Sequence, residues 1–140
     1  VVVSAQLGHG KRSNMYTDYS LAVWNEKKEL VTVAKAYSGL TDKEIAEFDR
    51  FVRKNITGRF GPVRSIRPEM VFEIAFEGVQ NSSRHKAGVA LRFPRINRWR
   101  RDKKPQDADT LMQIREIADA QDKPEDGGPK MDQSGNLLLF

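Results

Sequence analysis

The sequence predicts a mainly β domain of five strands, with one helix between strands 3 and 4 and a second helix near the C-terminus. Five short segments rich in β-branched and aromatic residues are separated by glycine-rich or charged stretches. A segment with the spacing of an amphipathic helix follows the third of them. Five strands with a helix in this position is the element order of an OB-fold barrel, so we expect that fold.

The first three predicted strands cover residues 1–7, 16–24 and 29–37. In the second, Tyr19, Leu21 and Val23 alternate with small residues, which is typical of a half-buried strand. A glycine-containing basic loop precedes this strand, and a short charged turn follows it. We therefore expect the first three strands to form a meander with a basic first loop.

The predicted helix begins after Thr41, which stands three residues before Glu44 in the spacing of a capping box. Its apolar face recurs at helical intervals and should be buried. That face comprises Ile45, Phe48, Phe51 and Val52. We expect the charged residues between them, including Asp49, to face solvent.

Residues 72–77 form the fourth predicted strand, in which Phe72, Ile74 and Phe76 alternate with Glu73, Ala75 and Glu77, so Glu73 should point outward. Residues 88–93 form the fifth strand, with Phe93 on its inward face. We interpret the glycines and proline between the helix and strand 4 as a short connection. Residues 78–87 then form a second basic loop.

Three units are expected along the chain: an OB-fold domain over 1–106, a C-terminal helix over 107–120 and a flexible tail over 121–140. Asp and Thr residues before position 111 can cap the helix, and the tail is rich in Pro, Gly and polar residues. The apolar face of this helix comprises Leu111, Ile114, Ile117 and Ala118. The final apolar residues are too few to form an element alone.

Positive charge is concentrated in one part of the chain. Residues 81–104 contain nine Lys or Arg and one acid, whereas residues 105–140 contain three basic and eight acidic residues. Arginine offers a planar fork of donors to phosphate oxygens, so a cluster of this kind favours a phosphate-bearing partner. A solvated strand end is the alternative that charge alone leaves open.

Composition excludes several classes of function. The chain has no cysteine and two histidines, so we expect no disulfide, no thiol catalysis and no metal site. No apolar run approaches the ~20 residues needed to cross a bilayer, so we expect no membrane partner. Because the chain opens directly on strand-like sequence without Met, we expect it to be a piece of a longer polypeptide.

Two sequence motifs resemble a known family. Arg92-Phe93-Pro94-Arg95, followed by Arg100-Arg101-Asp102-Lys103, closely resembles motif VI in the C-terminal OB domain of ATP-dependent DNA ligases of bacterial type. The segment Gly8 to Arg12 resembles the family's G-x-G-K-R loop. The likeness extends over about residues 1–118 and leaves the tail uncovered.

The resemblance implies roles for individual residues. Arg100 and Lys103 would stabilise the charge that develops as pyrophosphate leaves ATP, and Asp102 would orient them by ion pairing. OB folds hold oligonucleotides with the two loops that are basic here, and the exit of strand 5 adds further cations. The expected DNA-binding residues are Lys11, Arg12, Arg84, Lys86, Arg92, Arg95 and Arg98.

The same resemblance implies ATP and Mg²⁺ as cofactors of the full enzyme, bound mainly by an adenylation domain of the same polypeptide. The family's nucleophilic lysine lies there in a K-x-D-G motif, which this sequence lacks. We therefore expect the chain to be inactive alone and to bind nicked duplex DNA. A monomer in the bacterial cytoplasm, with the nucleoid, is expected.

Two alternatives remain open. A free-standing OB module would bind single strands by stacking bases on exposed aromatics, for which Tyr16, Tyr19 and Trp24 are candidates. The OB domain of an mRNA capping guanylyltransferase shares the superfamily motif. We expect Trp99 and Phe93 to be packing residues and not stacking platforms.

Overall fold

The computed structural model describes residues 1–37, 39–121 and 137–139, which form ten strands, two α-helices and two short 3-10 turns. The helices are α1 (Asp42–Lys54) and α2 (Leu111–Gln121), and the 3-10 turns are Gly10–Arg12 and Pro105–Asp107. The strands are β1 (Val2–Leu7), β2 (Tyr16–Trp24), β3 (Leu30–Ala36), β4 (Ile56–Phe60), β5 (Val63–Ile66), β6 (Phe72–Phe76), β7 (Gly78–Asn81), β8 (Val89–Arg92), β9 (Arg95–Trp99) and β10 (Leu137–Leu139).

The largest sheet has the order β3-β2-β1-β5-β4, and all of its pairings are antiparallel. Tyr19, Leu21 and Val23 of β2 are all buried, as their alternation predicted. Strand β1 therefore lies in the middle of this sheet, between β2 and β5, and joins the meander to a hairpin formed by β4 and β5.

The remaining described strands form a β10-β6-β9 sheet and a separate β7-β8 hairpin. The prediction of a mainly β fold with a helix after the third strand is confirmed. Hydrogen bonding divides the described strands among three sheets, so they do not close into one continuous barrel. Side-chain packing across the sheets completes the core.

Helix α1 begins with the predicted capping box. The Thr41 hydroxyl accepts a hydrogen bond from the Glu44 amide, and the Glu44 carboxylate accepts one from the Thr41 amide. Phe48 and Val52 are fully buried, as predicted. Asp49 was expected to face solvent, and that prediction is wrong because its buried carboxylate accepts the backbone N–H of Tyr16 at 2.8 Å.

The centre of the core is an aromatic cluster contributed by four elements. Tyr19 from β2, Phe48 from α1, and Phe72 and Trp99 from the β6-β9 pair lie with neighbouring ring centroids 5.0–5.9 Å apart. Most of these pairs are edge-to-face, the arrangement that the ring quadrupoles favour. The prediction that Trp99 is a packing residue is confirmed.

Three segments form strands that were not predicted. One is β7, which occupies residues 78–81 of the stretch predicted as the second basic loop and pairs with β8. The β4-β5 hairpin occupies the stretch interpreted as a connection, because its glycines at 58 and 61 belong to a strand and a tight turn. Strand β9 occupies part of the basic cluster, where charged side chains conceal the strand pattern in the sequence. This strand pairs with β6, with Ile96 opposite Ile74.

Phe93 was predicted to point inward, and that prediction is wrong. Its side chain is 66% exposed and its φ angle is +49°, so the residue ends β8 and turns the chain into β9. A non-glycine residue rarely adopts this left-handed conformation. The inward pattern of β8 stops at Leu91, which is buried.

Helix α2 buries Leu111 and Ile114, and Ile117 and Ala118 pack beside them, as its sequence predicted. Its last residue docks it on β7, because the Gln121 side chain both accepts from and donates to the backbone of Val79. Across the described residues, no helix has the length and apolar character needed to span a membrane.

Strand β10 departs from the expected flexible tail. Leu137–Leu139 pair antiparallel with β6, and Leu139 is buried in the core cluster. A three-residue segment forms this strand because it adds to an existing sheet edge instead of folding alone. The rest of the expected tail, residues 122–136 and 140, lies outside the described residues.

Candidate functional site

The R-x-D-K segment, residues 100–103, leaves β9 with Arg100 fixed at both backbone and side chain. The Arg100 amide donates to the Val71 carbonyl at 2.9 Å. Its Nε and Nη2 each donate to an oxygen of Asp102 at 2.9 Å, and Nη1 donates to Glu73 at 3.3 Å. The Arg100 side chain is 12% exposed, so the guanidinium is held in one orientation.

The Asp102 pair has a clear electrostatic consequence. Hydrogen bonds from the Arg100 guanidinium hold the pKa of the Asp102 carboxyl well below its usual range. The same hydrogen bonds raise the pKa of Arg100. Both groups are therefore charged at neutral pH, in the bidentate geometry that fixes a guanidinium plane.

Glu73 of β6 is a site residue that the sequence reasoning missed. It is 3% exposed, and its carboxylate accepts hydrogen bonds from Asn97, Arg98 and Arg100. A buried carboxylate is stable only when its charge is compensated, and here the adjacent strand β9 and its exit supply the donors. The signal in the sequence was a single acid inside an otherwise apolar strand.

Arg101 and Lys103 lie at the rim of a cleft of about 320 Å³. The Arg101 guanidinium stacks 3.8 Å from the centroid of the Trp99 ring and forms an ion pair with Glu47 of α1. The hydrogen bond that Arg101 donates to the Glu47 carboxylate in this pair lowers the pKa of Glu47. The cleft is lined by Glu47, Phe51, Glu69, Met70, Val71, Trp99, Arg100, Arg101 and Lys103.

The charge of this cluster is largely compensated inside the domain. Arg98 and Arg100 pair with Glu73, and Arg101 pairs with Glu47. Lys103 forms no ion pair among the residues that the structure describes, although its charge helps to lower the pKa of the neighbouring Asp102, and its amide donates to the Arg100 carbonyl at 3.3 Å. Among the cations that line the cleft, Lys103 is therefore the one available to a phosphate without breaking an ion pair.

The first basic loop, residues 8–15, is braced by α1. Lys11 is exposed, and Arg12 lies in the same 3-10 turn. Asp49 accepts the amide that follows the loop, and Arg53 donates from Nη2 to the Asn14 carbonyl at 2.6 Å. The helix thus fixes the end of the loop and leaves the Lys11 side chain in solvent.

The other predicted DNA-binding residues lie on the second loop and around β9. Arg84 and Lys86 are exposed in the β7-β8 loop. Arg92 is exposed, with its guanidinium 5.6 Å from the centroid of the Phe93 ring. Arg95 is half-buried in β9, and Arg98 is exposed beside Glu73. Arg84, Lys86 and Arg92 thus belong to the β7-β8 hairpin, and Arg95 and Arg98 belong to the β10-β6-β9 sheet. The first loop belongs to the largest sheet.

The candidate stacking residues of the single-strand alternative do not present exposed rings to a base. Tyr16 and Tyr19 are buried, and the Tyr19 hydroxyl donates to the Tyr16 carbonyl at 2.8 Å. Trp24 is half-buried and donates from its ring nitrogen to the Pro105 carbonyl at 2.8 Å. Among the described residues, the large aromatic side chains that are exposed are instead Tyr37, Phe60 and Phe93.

The described residues contain no group of three or more His, Asp or Glu side chains placed to hold a metal ion. Three carboxylates at or beside the cleft, those of Glu47, Glu73 and Asp102, are engaged by arginines. Mg²⁺ is coordinated by oxygen atoms, and carboxylate oxygens that are paired with arginines are not free to coordinate it. These side chains therefore do not fit a Mg²⁺ site.

Comparisons with known proteins agree on one family. Residues 12–103 match the family model described as the ATP dependent DNA ligase C terminal region. The chain is 50% identical over 117 residues to a probable DNA ligase of Koribacter versatilis. The aligned segment covers 84% of this chain and 20% of the relative. The chain is 40% identical over 122 residues to DNA ligase 1 of Korarchaeum cryptofilum, covering 86% of this chain and 23% of the relative.

A solved structure shares the fold at low sequence identity. The ligase domain of LigD from M. tuberculosis matches with a TM-score of 0.60 and 18% identity, over 76% of this chain and 36% of that one. The chain spans about a fifth of the length of the two relatives named above. The family match covers well over half of the 140 residues, so this chain belongs to the family of C-terminal regions of ATP-dependent DNA ligases.

Proposed function

We propose that this chain serves as the C-terminal OB domain of an ATP-dependent DNA ligase, where it supplies the R-x-D-K segment for lysine adenylation and binds nicked duplex DNA. In the reaction implied by the family, a lysine attacks the α-phosphate of ATP and pyrophosphate leaves. The AMP then passes to the 5′-phosphate of a nick, and the 3′-hydroxyl displaces it. The domain contributes to the first step and to holding the DNA.

The observation that supports this role most strongly is the contrast between Arg100 and Lys103. Arg100 is held by Asp102 and by the buried Glu73, so its orientation is set before any ligand binds. Lys103 lines the same cleft and forms no ion pair among the described residues. A fixed guanidinium beside an unengaged ammonium suits a departing pyrophosphate, because preorganised donors need no rearrangement as charge develops.

The cofactors and partners follow from the same proposal. ATP and Mg²⁺ would be bound mainly by an adenylation domain of the same polypeptide, since the described donors here fit no metal cage. When bound, Mg²⁺ would neutralise charge on the phosphates. Lys103 and Arg100 would add donors to the leaving group, and the enzyme would work as a monomer in the cytoplasm, with the nucleoid.

The test uses the intact parent enzyme carrying Lys103→Ala. Self-adenylation with labelled ATP should fall on the order of a hundredfold or more, the usual cost of losing one electrostatic contact to developing charge. Sealing of a nick that already carries 5′-AMP should fall much less, because pyrophosphate has already left. Lys104→Ala is the matched control, since this neighbouring exposed lysine lies outside the motif.

Melting temperatures are measured beside both rates, because an unfolded domain would slow both steps together. Equal losses in adenylation and in sealing of pre-adenylated nicks, with stability intact, would contradict the proposed role. That result would make Lys103 a DNA contact instead.

A further inference from the structure

The β4-β5 hairpin carries a basic surface that belongs to neither predicted loop. Residues 53–68 contain five Lys or Arg and no acidic residue. Together with the last turn of α1, the hairpin borders an open cleft of about 500 Å³. The cleft is lined by Arg53, Lys54, Ile56, Thr57, Gly58 and Arg59.

The cations in this region have different roles. Arg53 is engaged by Asp49 and the Asn14 carbonyl, and the half-buried Arg64 donates from Nη1 to the Gly61 carbonyl at 2.7 Å within the hairpin turn. Lys54 and Arg59 are exposed, and neither has an ion pair within the part of the chain that the structure describes. Two cations are thus presented on a braced scaffold without a partner.

Strand register places this surface next to the first basic loop. Ala5 of β1 pairs with Arg64 of β5 in antiparallel register. Because the strands are antiparallel, two residues later in β1 correspond to two residues earlier in β5. Leu7, where β1 ends and the first loop begins, is therefore level with Pro62 in the hairpin turn. The hairpin turn and the first loop therefore project from the same end of the sheet.

A second contact joins the two regions from the helix side. The Arg53 guanidinium spans from α1 to the Asn14 carbonyl in the loop, and it lies 5.2 Å from the centroid of the Tyr16 ring. The same arginine lines the hairpin cleft. Loop, helix end and hairpin thus form one continuous surface whose exposed charges are positive.

We propose that the β4-β5 hairpin extends the DNA-binding surface of the first loop, with Lys54 and Arg59 contacting backbone phosphates of the duplex. This inference rests on the proposed DNA-binding function. Duplex DNA fits because its phosphates recur along the helix, so a surface continuous with the first loop meets further phosphates of the same molecule. Such contacts add affinity and footprint without sequence preference.

The test measures binding of the 140-residue chain to a labelled nicked duplex between about 50 and 200 mM salt. Each phosphate contact that is lost should reduce the log–log salt slope by about 0.9. The Lys54→Gln, Arg59→Gln double variant should therefore lose up to about twice that amount. Lys27→Gln, Lys28→Gln is the matched control, because it removes the same charge from the turn at the opposite end of the sheet.

The outcomes separate this inference from the function on which it rests. A shallower slope for the hairpin variant and an unchanged slope for the control would support the inference. Equal changes in both would overturn it, because net charge alone would explain them. An unchanged hairpin variant beside a shallower Lys11→Gln, Arg12→Gln variant would overturn the inference alone. Absence of salt-dependent binding by the unmodified chain would overturn the proposed DNA binding as well. Circular dichroism and melting temperature verify the fold of each variant.

Discussion

Gly39 is a position where one added methyl group should strongly destabilise the fold. Its φ angle is +115°, and a Cβ built on it would lie 1.7 Å from the Ile96 carbonyl oxygen. That oxygen belongs to the backbone of β9, so no rotamer change can relieve the overlap. Gly39→Ala must therefore separate the segment after β3 from β9 by about 1.5 Å, since a carbon and an oxygen in contact need about 3.2–3.5 Å.

Two costs add in this variant. Alanine in a backbone region that is reserved almost entirely for glycine costs about 1–3 kcal/mol, and forcing packed elements apart costs about 1–3 kcal/mol. We expect a loss of about 3–4 kcal/mol in the free energy of unfolding. For a domain of this size, that corresponds to a fall of about 10 °C in melting temperature.

Gly61→Ala provides the control. Its φ of +59° is also positive, but no atom lies within 4 Å of the added Cβ. It should show only the conformational cost of about 1–2 kcal/mol. Calorimetry of the two variants therefore isolates the steric overlap. A melting temperature for Gly39→Ala no lower than that of Gly61→Ala would refute the close approach of Gly39 to β9.

Three further variants test separate contacts. Asp49→Ala should lower the free energy of unfolding by about 1.5–3 kcal/mol, because a buried amide loses a charged acceptor. Asp49→Asn keeps one acceptor oxygen and should cost less. Equal losses for the two variants on chemical denaturation would contradict that reason. Arg100 holds the pKa of the Asp102 carboxyl below its ordinary value of about 3.8. The stability that their ion pair contributes is therefore fully present above pH 3.8, and it is lost as the pH falls through the lower pKa that Asp102 has in the folded state. Carboxyl NMR should find Asp102 ionised at about pH 3, and Arg100→Gln should raise its titration midpoint; an unmoved midpoint would mean that the pair does not form in solution. Trp24→Phe removes the donor to the Pro105 carbonyl and should cost about 1 kcal/mol, and an unchanged unfolding free energy would show that this bond contributes nothing.

Local patterns predicted the elements whose signals are local. The capping box at Thr41 and the spacing of Phe48 and Val52 located α1, because a helix end and an apolar face are both encoded within a few residues. Alternation located β2 and β6 for the same reason. The family resemblance of the R-x-D-K segment rested on residue identity, and the family match to residues 12–103 agrees with it.

The errors share another cause, because they depend on partners distant in sequence. Glu73 follows an alternation that points outward, yet the donors of β9 and its exit make its burial stable. Asp49 is buried because the amide of Tyr16, more than 30 residues away at the start of β2, needs an acceptor. Phe93 continues the apolar pattern of β8 while its backbone turns away at a positive φ. No single-segment pattern contains that information.

The hydrogen bonds at the two ends of the R-x-D-K segment restrict how it can move. The Arg100 amide is bonded to the Val71 carbonyl, and five residues later the Pro105 carbonyl is held by the Trp24 ring nitrogen. Both ends of the segment are thus tied to the rest of the domain. A large displacement of Lys103 would require either that one of these hydrogen bonds break or that the domain move as a whole.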